Sequence, residues 1–447
     1  MRMTADSMQD ERLQKVQLAV RRFIRWLESY GETSWDHQSF FAGPHGGGAK
    51  ALYYSRPLIG TLAVAPMIFC EAFLPGARRF FWKAMRFPIA DAHYAMGFAF
   101  LANGVSDGHY TKSIHFLHML EKSRCPGFRN YCWGYPFDWV TRNGTIEAGT
   151  PLITTTPYVY EAFRQAHGLD GKDHWLAVCR SIAEHALTDI HDFETSPNAS
   201  TCSYTPYDRG GVVNAAAYRA NLLSAAAADF SDERYWRIGE RNLNFVLESQ
   251  QADGSWFYSV DGARDFVDHF HTCFILKALA KIDSRLENQH CRKAIDLGVE
   301  YYLANLLDEE GLPKPFSRAP RLTVYRRELY DYAECINVCL LLRKRIPEMG
   351  LVLDRVIDDV LARWIKPDGS FRSRKLYLGW DNVPMQRWAQ AQMFRSLAFL
   401  LYEELNNPPQ RRGERRDNGT ERADAGGDRG GNRGASGTGA GSIGVRL

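Results

Sequence analysis

Apolar residues along this chain recur at intervals of three and four in about a dozen windows, from residues 13–27 to residues 385–401, and no long stretch alternates like a strand. That spacing predicts amphipathic helices and an all-α fold. The clearest windows come in pairs: 154–167 with 174–190, 213–230 with 233–249, 266–282 with 289–306, and 327–345 with 351–364. A last helix is expected to close against the first.

The second helix of successive pairs runs into a similar loop. ADGSWFYSV follows Gln251, DEEGLPKPFS follows Leu307 and KPDGSFRSRK follows Ile365, each with an acidic residue, a glycine and a bulky residue just beyond. The repeat, about 50 to 60 residues long, is that of helical hairpins, which cannot bury their apolar faces alone and must stack or close. Small residues favour closure: the runs from Asn214 to Ala220 and from Ser224 to Ala228 let helices crowd round an axis. The expected architecture is an (α/α)6-type toroid over residues 1–406. Beyond it, the Gly/Arg/Asp-rich 407–447 reads as a disordered tail.

With 45% hydrophobic and 24% charged residues the chain can bury a large core, and a net charge of +3 gives no argument for a nucleic-acid partner. Cysteines at irregular spacing, several in apolar helices (Cys70, Cys179, Cys273, Cys339), read as reduced core thiols. The charged, amphipathic start lacks the apolar core of a secretory signal, so a cytoplasmic location is expected. Residues 58–74 are apolar except for Glu71 but shorter than the ~20 needed to cross a bilayer. Arg78, Arg79, Lys83 and Arg86 follow, interleaved with Phe80, Phe81, Trp82 and Phe87. Segment 58–88 is therefore either a core helix with a solvated loop, which its length favours, or a membrane-surface segment.

Ring closure brings the loops that lead into the inner helices to one end, where chemistry is to be sought. These loops are rich in aromatics beside carboxylates, amides and guanidinium groups, the set a sugar ring needs for its C–H faces and hydroxyls. Candidate binding residues are Trp133, Tyr135, Trp139, Tyr158, Tyr207, Asn214, Trp256, Tyr258, Tyr325, Arg326, Asp381, Arg387 and Trp388. The plain alternative is that the aromatics only seal the core; polar partners recurring in five successive loops argue against it. Candidate acid/base residues are Asp138, Asp208, Asp268, His269, His271, Tyr330 and Asp331. Asp268 can orient an imidazole or simply cap a helix over a core histidine. His269 and His271 do not share a helix face, and Cys335 and Cys339 lack further ligands, so no metal is expected. No phosphate loop, H-E-x-x-H pair or G-x-S-x-G elbow occurs, and no cofactor is expected.

The segments CWGYPFDW, TTPYVYEAF, YTPYD with the following Asn214, QADGSWFY, DHFHTCF and MQRWAQAQMF resemble those of a family of bacterial and archaeal α/α-toroid proteins associated with capsular or exopolysaccharide biosynthesis. The likeness runs from about Tyr131 to Leu401. More distantly the architecture is similar to six-hairpin glycosidases, polysaccharide lyases and uronate epimerases; terpenoid cyclases are disfavoured by the missing D-x-D-D motif. The resemblance implies a carbohydrate-active protein of polysaccharide synthesis or modification, acting on a glycan or glycan-lipid. Three classes stay open: a two-carboxylate glycosidase, a lyase or epimerase using His or Tyr as base, and a non-catalytic glycan-binding or assembly component at the inner membrane, on which the basic-aromatic 78–87 segment would sit.

Overall fold

The structure, a computed structural model, describes residues 5–406; the expected tail lies outside the described residues. Helix α1 (Ala5–Tyr30) is followed by a hairpin of α2 (Pro44–Ser55) and α3 (Pro57–Phe73). Paired helices then alternate: α4 (Pro88–Leu101) and α5 (Gly108–Lys122), α6 (Thr156–Asp170) and α7 (Asp173–Thr188), α8 (Val213–Phe230) and α9 (Glu233–Glu248). The chain continues with α10 (His269–Leu286) and α11 (Gln289–Asn305), α12 (Leu329–Leu342) and α13 (Pro347–Asp359), and α14 (Ala391–Asn406). Helices α4, α6, α8, α10, α12 and α14 touch in that order, and α14 returns to α4. This inner ring, with α1, α5, α7, α9, α11 and α13 packed around it, is an (α/α)6 toroid.

Burial explains the division of labour. Every residue of α8 from Val213 to Ala226 is buried, whereas α9 buries only a stripe that includes Tyr235, Gly239, Leu243 and Val246. Small residues set the spacing, since a Cβ on Gly239 would sit 3.1 Å from that of Leu223. Inner helices pass to outer ones through tight turns in which Gly171, Ser231 and Glu287 take left-handed φ values of 68°, 51° and 50°.

The return connections are longer and carry short ribbons: β1 (Trp139–Thr141) with β2 (Gly144–Ile146), β3 (Asp192–Ser196) with β4 (Ala199–Cys202), and β5 (Val267–Asp268) with β6 (Phe316–Arg318). A three-stranded piece joins β7 (Tyr325–Glu328), β8 (Arg374–Leu376) and β9 (Trp380–Asp381). The loop repeat is real. Gln250 pairs with Trp256, Leu307 with Pro313 and Ile365 with Phe371, and the turn between each pair holds an acidic side chain (Asp253, Asp308, Asp368) and a glycine with positive φ.

All nine cysteines are free, and all but Cys70 are buried. No helix among the described residues is long and apolar enough to cross a membrane. The α2–α3 hairpin lies across the end of the ring where the long loops gather: Gly47 packs near Val140 of β1, while the Tyr54 phenol feels the charges of Arg142 and Arg321, from loops leading to opposite sides of the ring.

Candidate active site

Under the hairpin the inner helices begin in a nest of aromatic rings. Trp388, in the turn that opens α14, meets Tyr330 edge-on at 4.7 Å, His37 at 5.0 Å and Phe270 at 5.7 Å. Tyr135 stacks on Phe137 at 5.5 Å, and Trp139 bridges Tyr135 and Tyr204. Burial, with a smaller contribution from the nearby Tyr135, raises the phenols of Tyr204, Tyr258 and Tyr330 above their ordinary value. Guanidinium Arg387 lies 4.5 Å from the Tyr135 ring centre and is held by Asp36 at 2.6 Å.

Asp268 caps α10 by accepting the His271 N–H at 2.9 Å, and its other oxygen takes a 2.6 Å hydrogen bond from His271 Nδ1. The cap and the orienting role, alternatives in the sequence, are both filled by one carboxylate. With Nδ1–H engaged, Nε2 is the basic nitrogen of the neutral ring, and it has no hydrogen-bond partner among the described residues. Tyr258 covers the ring edge-on at 4.7 Å. Asp331 is buried, and neither of its oxygens has a hydrogen-bond partner among the described residues. Burial first, then the charges of Glu328 and Asp268, push this carboxyl well above its ordinary range, in the direction that favours its protonated form. His269 is spent elsewhere: it sits fully buried between the Leu306 carbonyl (3.2 Å) and the Tyr302 hydroxyl (3.0 Å).

Several other candidates stand apart from this cluster. Asp208 takes four hydrogen bonds from the Tyr204, Thr205 and Gly210 amides and the Thr205 hydroxyl, so it organises its own loop. Asp138 is exposed and accepts the Ala148 amide at 2.9 Å. Trp133 and Trp256 are core residues whose indole N–H groups donate to the Leu120 and Val246 carbonyls at 2.8 Å and 3.0 Å. Tyr207 is 76% exposed, and Arg326 lies over Tyr377 at the rim. Tyr325 is covered by Arg374 at 4.5 Å.

Segment 36–78 supplies residues that sequence reasoning missed. Three buried ion pairs tie it to the ring: Asp36 with Arg387 at 2.6 Å, Glu71 with Arg374 at 2.7 Å, and Arg78 with Asp381 at 2.6 Å, the last absorbing a residue expected to bind ligand. His37 is held neutral, well below its ordinary pKa, by burial and by the cations Arg374, Arg387, Arg78 and Lys50. Burial and Arg321 push Lys50 down to about 8. An open groove of about 450 Å³, lined by Tyr30, Trp35, Arg78 and Trp380, lies at the foot of the hairpin and not over His271.

Below the aromatic tier, charge fills the ring axis. Tyr158 shares a 2.6 Å hydrogen bond with Tyr218 and accepts from Lys277 at 3.1 Å, and Lys277 pairs with Glu334. Burial opposes the Lys277 charge, but Glu334 holds its pKa above the ordinary value. Glu161 pairs with Lys281 at 2.5 Å, and Arg395 stands 3.7 Å away. Burial works against this carboxylate too, yet Lys281 and Arg395 hold it down at about 2, while burial lowers Lys281 to about 8. Faced by three cations, counting Lys277, the carboxylate is the charge this cluster is built to keep. His93, beside Tyr158 at 4.5 Å, has no hydrogen-bond partner for either ring nitrogen among the described residues, and neither does the Oδ1 of buried Asn214 at the start of α8. The signal was a Lys or Glu inside an otherwise apolar inner helix, as in FILKALA and YAECINV.

Solved structures share this architecture. An unsaturated glucuronyl hydrolase specific for heparin matches with a TM-score of 0.58 and 10% identity over 89% of this chain and 98% of its own. Cellobiose 2-epimerase from Bacillus thermoamylovorans matches at 0.55 and 9% over 71% and 88%, and a GH76 α-mannanase from Bacteroides thetaiotaomicron at 0.53 and 9% over 79% and 97%. The chain is thus a toroid of the six-hairpin kind. At such identities the likeness establishes the fold and leaves the reaction to the site. No protein-family model matches the sequence, and no curated protein does.

Proposed function

We propose that this protein is a carbohydrate-active enzyme that moves a proton at a sugar carbon, with His271 as base and Asp268 as its positioning partner. The observation that carries the reading is the 2.6 Å contact of Asp268 with His271 Nδ1, which leaves Nε2 free beside Tyr258. Hydrolysis needs two carboxyl groups flanking the scissile bond. Among the loop aspartates, Asp138 and Asp208 hold backbone amides, Asp381 holds Arg78 and Asp268 holds His271. Asp331 alone is uncommitted, and a buried carboxyl whose pKa is raised suits returning a proton better than attacking a sugar. A lyase or epimerase reaction at a carbon next to a carboxylate or carbonyl fits this inventory better than glycosidase chemistry.

Lys50 forms no ion pair among the described residues, so it offers an anionic sugar a counter-charge at the mouth. The aromatic tier supplies stacking faces for the ring. A place in polysaccharide synthesis or modification is supported by the run of motifs between residues 131 and 401, and a lipid-carried glycan by the apolar hairpin over the mouth. The test is product analysis of uronic-acid and neutral oligosaccharides incubated with the full chain in heavy water. Deuterium at the carbon beside the acid group, or a new unsaturated end, is expected. New reducing ends without deuterium would make it a hydrolase, and a rise in melting temperature without chemistry would make it a binding protein.

A further inference from the structure

The hairpin over the mouth carries an outward stripe with no charge in it. Leu58, Leu62, Ala65, Pro66, Phe69 and Phe73 fall on one side of α3, with Leu58 89%, Leu62 75% and Phe69 56% exposed. The one acidic residue of 37–90, Glu71, points the other way, buried against Arg374. Exposed Arg56, Arg79 and Lys83 flank the stripe. The rim at the same end continues the pattern with Leu322 at 97% and Leu378 at 71% exposure.

An apolar face this large on a single helix calls for a partner, and the charge around it selects one. A second copy docked face to face would set Arg56, Arg79 and Lys83 against their own kind. An anionic lipid surface supplies an apolar layer for the stripe and negative headgroups for the three cations. We propose that the α2–α3 hairpin docks the toroid on an anionic bilayer, with the mouth at the membrane, so that the glycan acted on is one carried by a lipid. This rests on the reading of the site as sugar-acting.

The test is co-sedimentation of the full chain with vesicles of phosphatidylcholine alone and of phosphatidylcholine mixed with phosphatidylglycerol. Binding at least about tenfold tighter to the anionic vesicles is expected, weakening with salt. Leu62→Glu combined with Phe69→Glu should abolish it while leaving the melting temperature unchanged, because both side chains already face water. Equal binding to both vesicles, binding by the double variant, or no binding together with a dimer that the double variant dissolves would each overturn the docking claim. A glycolipid in the anionic vesicles should be turned over faster than its free oligosaccharide; equal rates would remove the lipid-carried substrate. Vesicle binding needs no sugar, so its failure leaves the His271 chemistry standing, and an inactive sugar assay leaves the docking standing.

Discussion

The ring axis and the hairpin above it place their side chains in opposite ways. Along the axis, Lys277, Glu334, Glu161, Lys281 and Arg395 bring charge into the middle of the molecule. On the hairpin, Leu58, Leu62 and Phe69 turn apolar surface outward. Folding alone rewards neither arrangement, since buried ion pairs often stabilise less than hydrophobic packing would and an exposed apolar stripe gains nothing in water. The two departures answer separately to the two proposed partners: a sugar ligand at the mouth of the axis, and an anionic bilayer against the hairpin. The remainder of the fold, where α8 is lined with alanine and the outer helices bury single stripes, follows packing rules closely.

The axis gives the largest expected effect. Lys277→Met should cost about 3–5 kcal/mol, because it strands the buried Glu334 carboxylate; urea denaturation measures it, and adding Glu334→Leu should recover most of the loss. A mild effect of the single change would mean that water already screens the pair.

Next in size is an acid effect. Glu161, held at about 2 when folded against 4.5 when free, contributes stability that is present above pH 4.5 and lost as pH falls through about 2. Glu161→Gln should flatten this limb of a melting-temperature profile, and an unchanged limb would assign the acid sensitivity to other carboxylates. Asp208→Ala should cost about 1–2 kcal/mol through the amides left unpaired while leaving the pH dependence of turnover unaltered; a displaced pH optimum would return Asp208 to the chemistry. The smallest effect belongs to the hairpin, where Leu62→Glu alone should shift stability by less than about 0.5 kcal/mol.

Much of this was legible before any coordinates. The pairs 213–230 with 233–249 and 289–306 match α8, α9 and α11 to within a residue, because their 3.6-residue periodicity is the physical requirement of a two-faced helix. The DGS loops were legible for the same kind of reason: an acidic cap and a left-handed glycine are needed wherever that turn is built. Composition said that the loops were polar and aromatic but not which side chains were committed to the fold. Trp133 and Trp256 read as binding residues, yet each plugs the gap between neighbouring helices, and Asp208 closes its turn. The ties Asp36–Arg387 and Arg78–Asp381 join residues some three hundred positions apart, beyond the reach of any local pattern.

The most direct test of the account is solvent exchange at the sugar carbon, followed by proton NMR in heavy water for the wild type, His271→Ala and Asp268→Asn. The account predicts exchange in the wild type, a loss on the order of 10²–10⁴-fold in His271→Ala, and a smaller loss in Asp268→Asn, which keeps the helix cap but no longer holds the imidazole as a carboxylate does. Exchange at the wild-type rate in His271→Ala, with the fold intact, would contradict it.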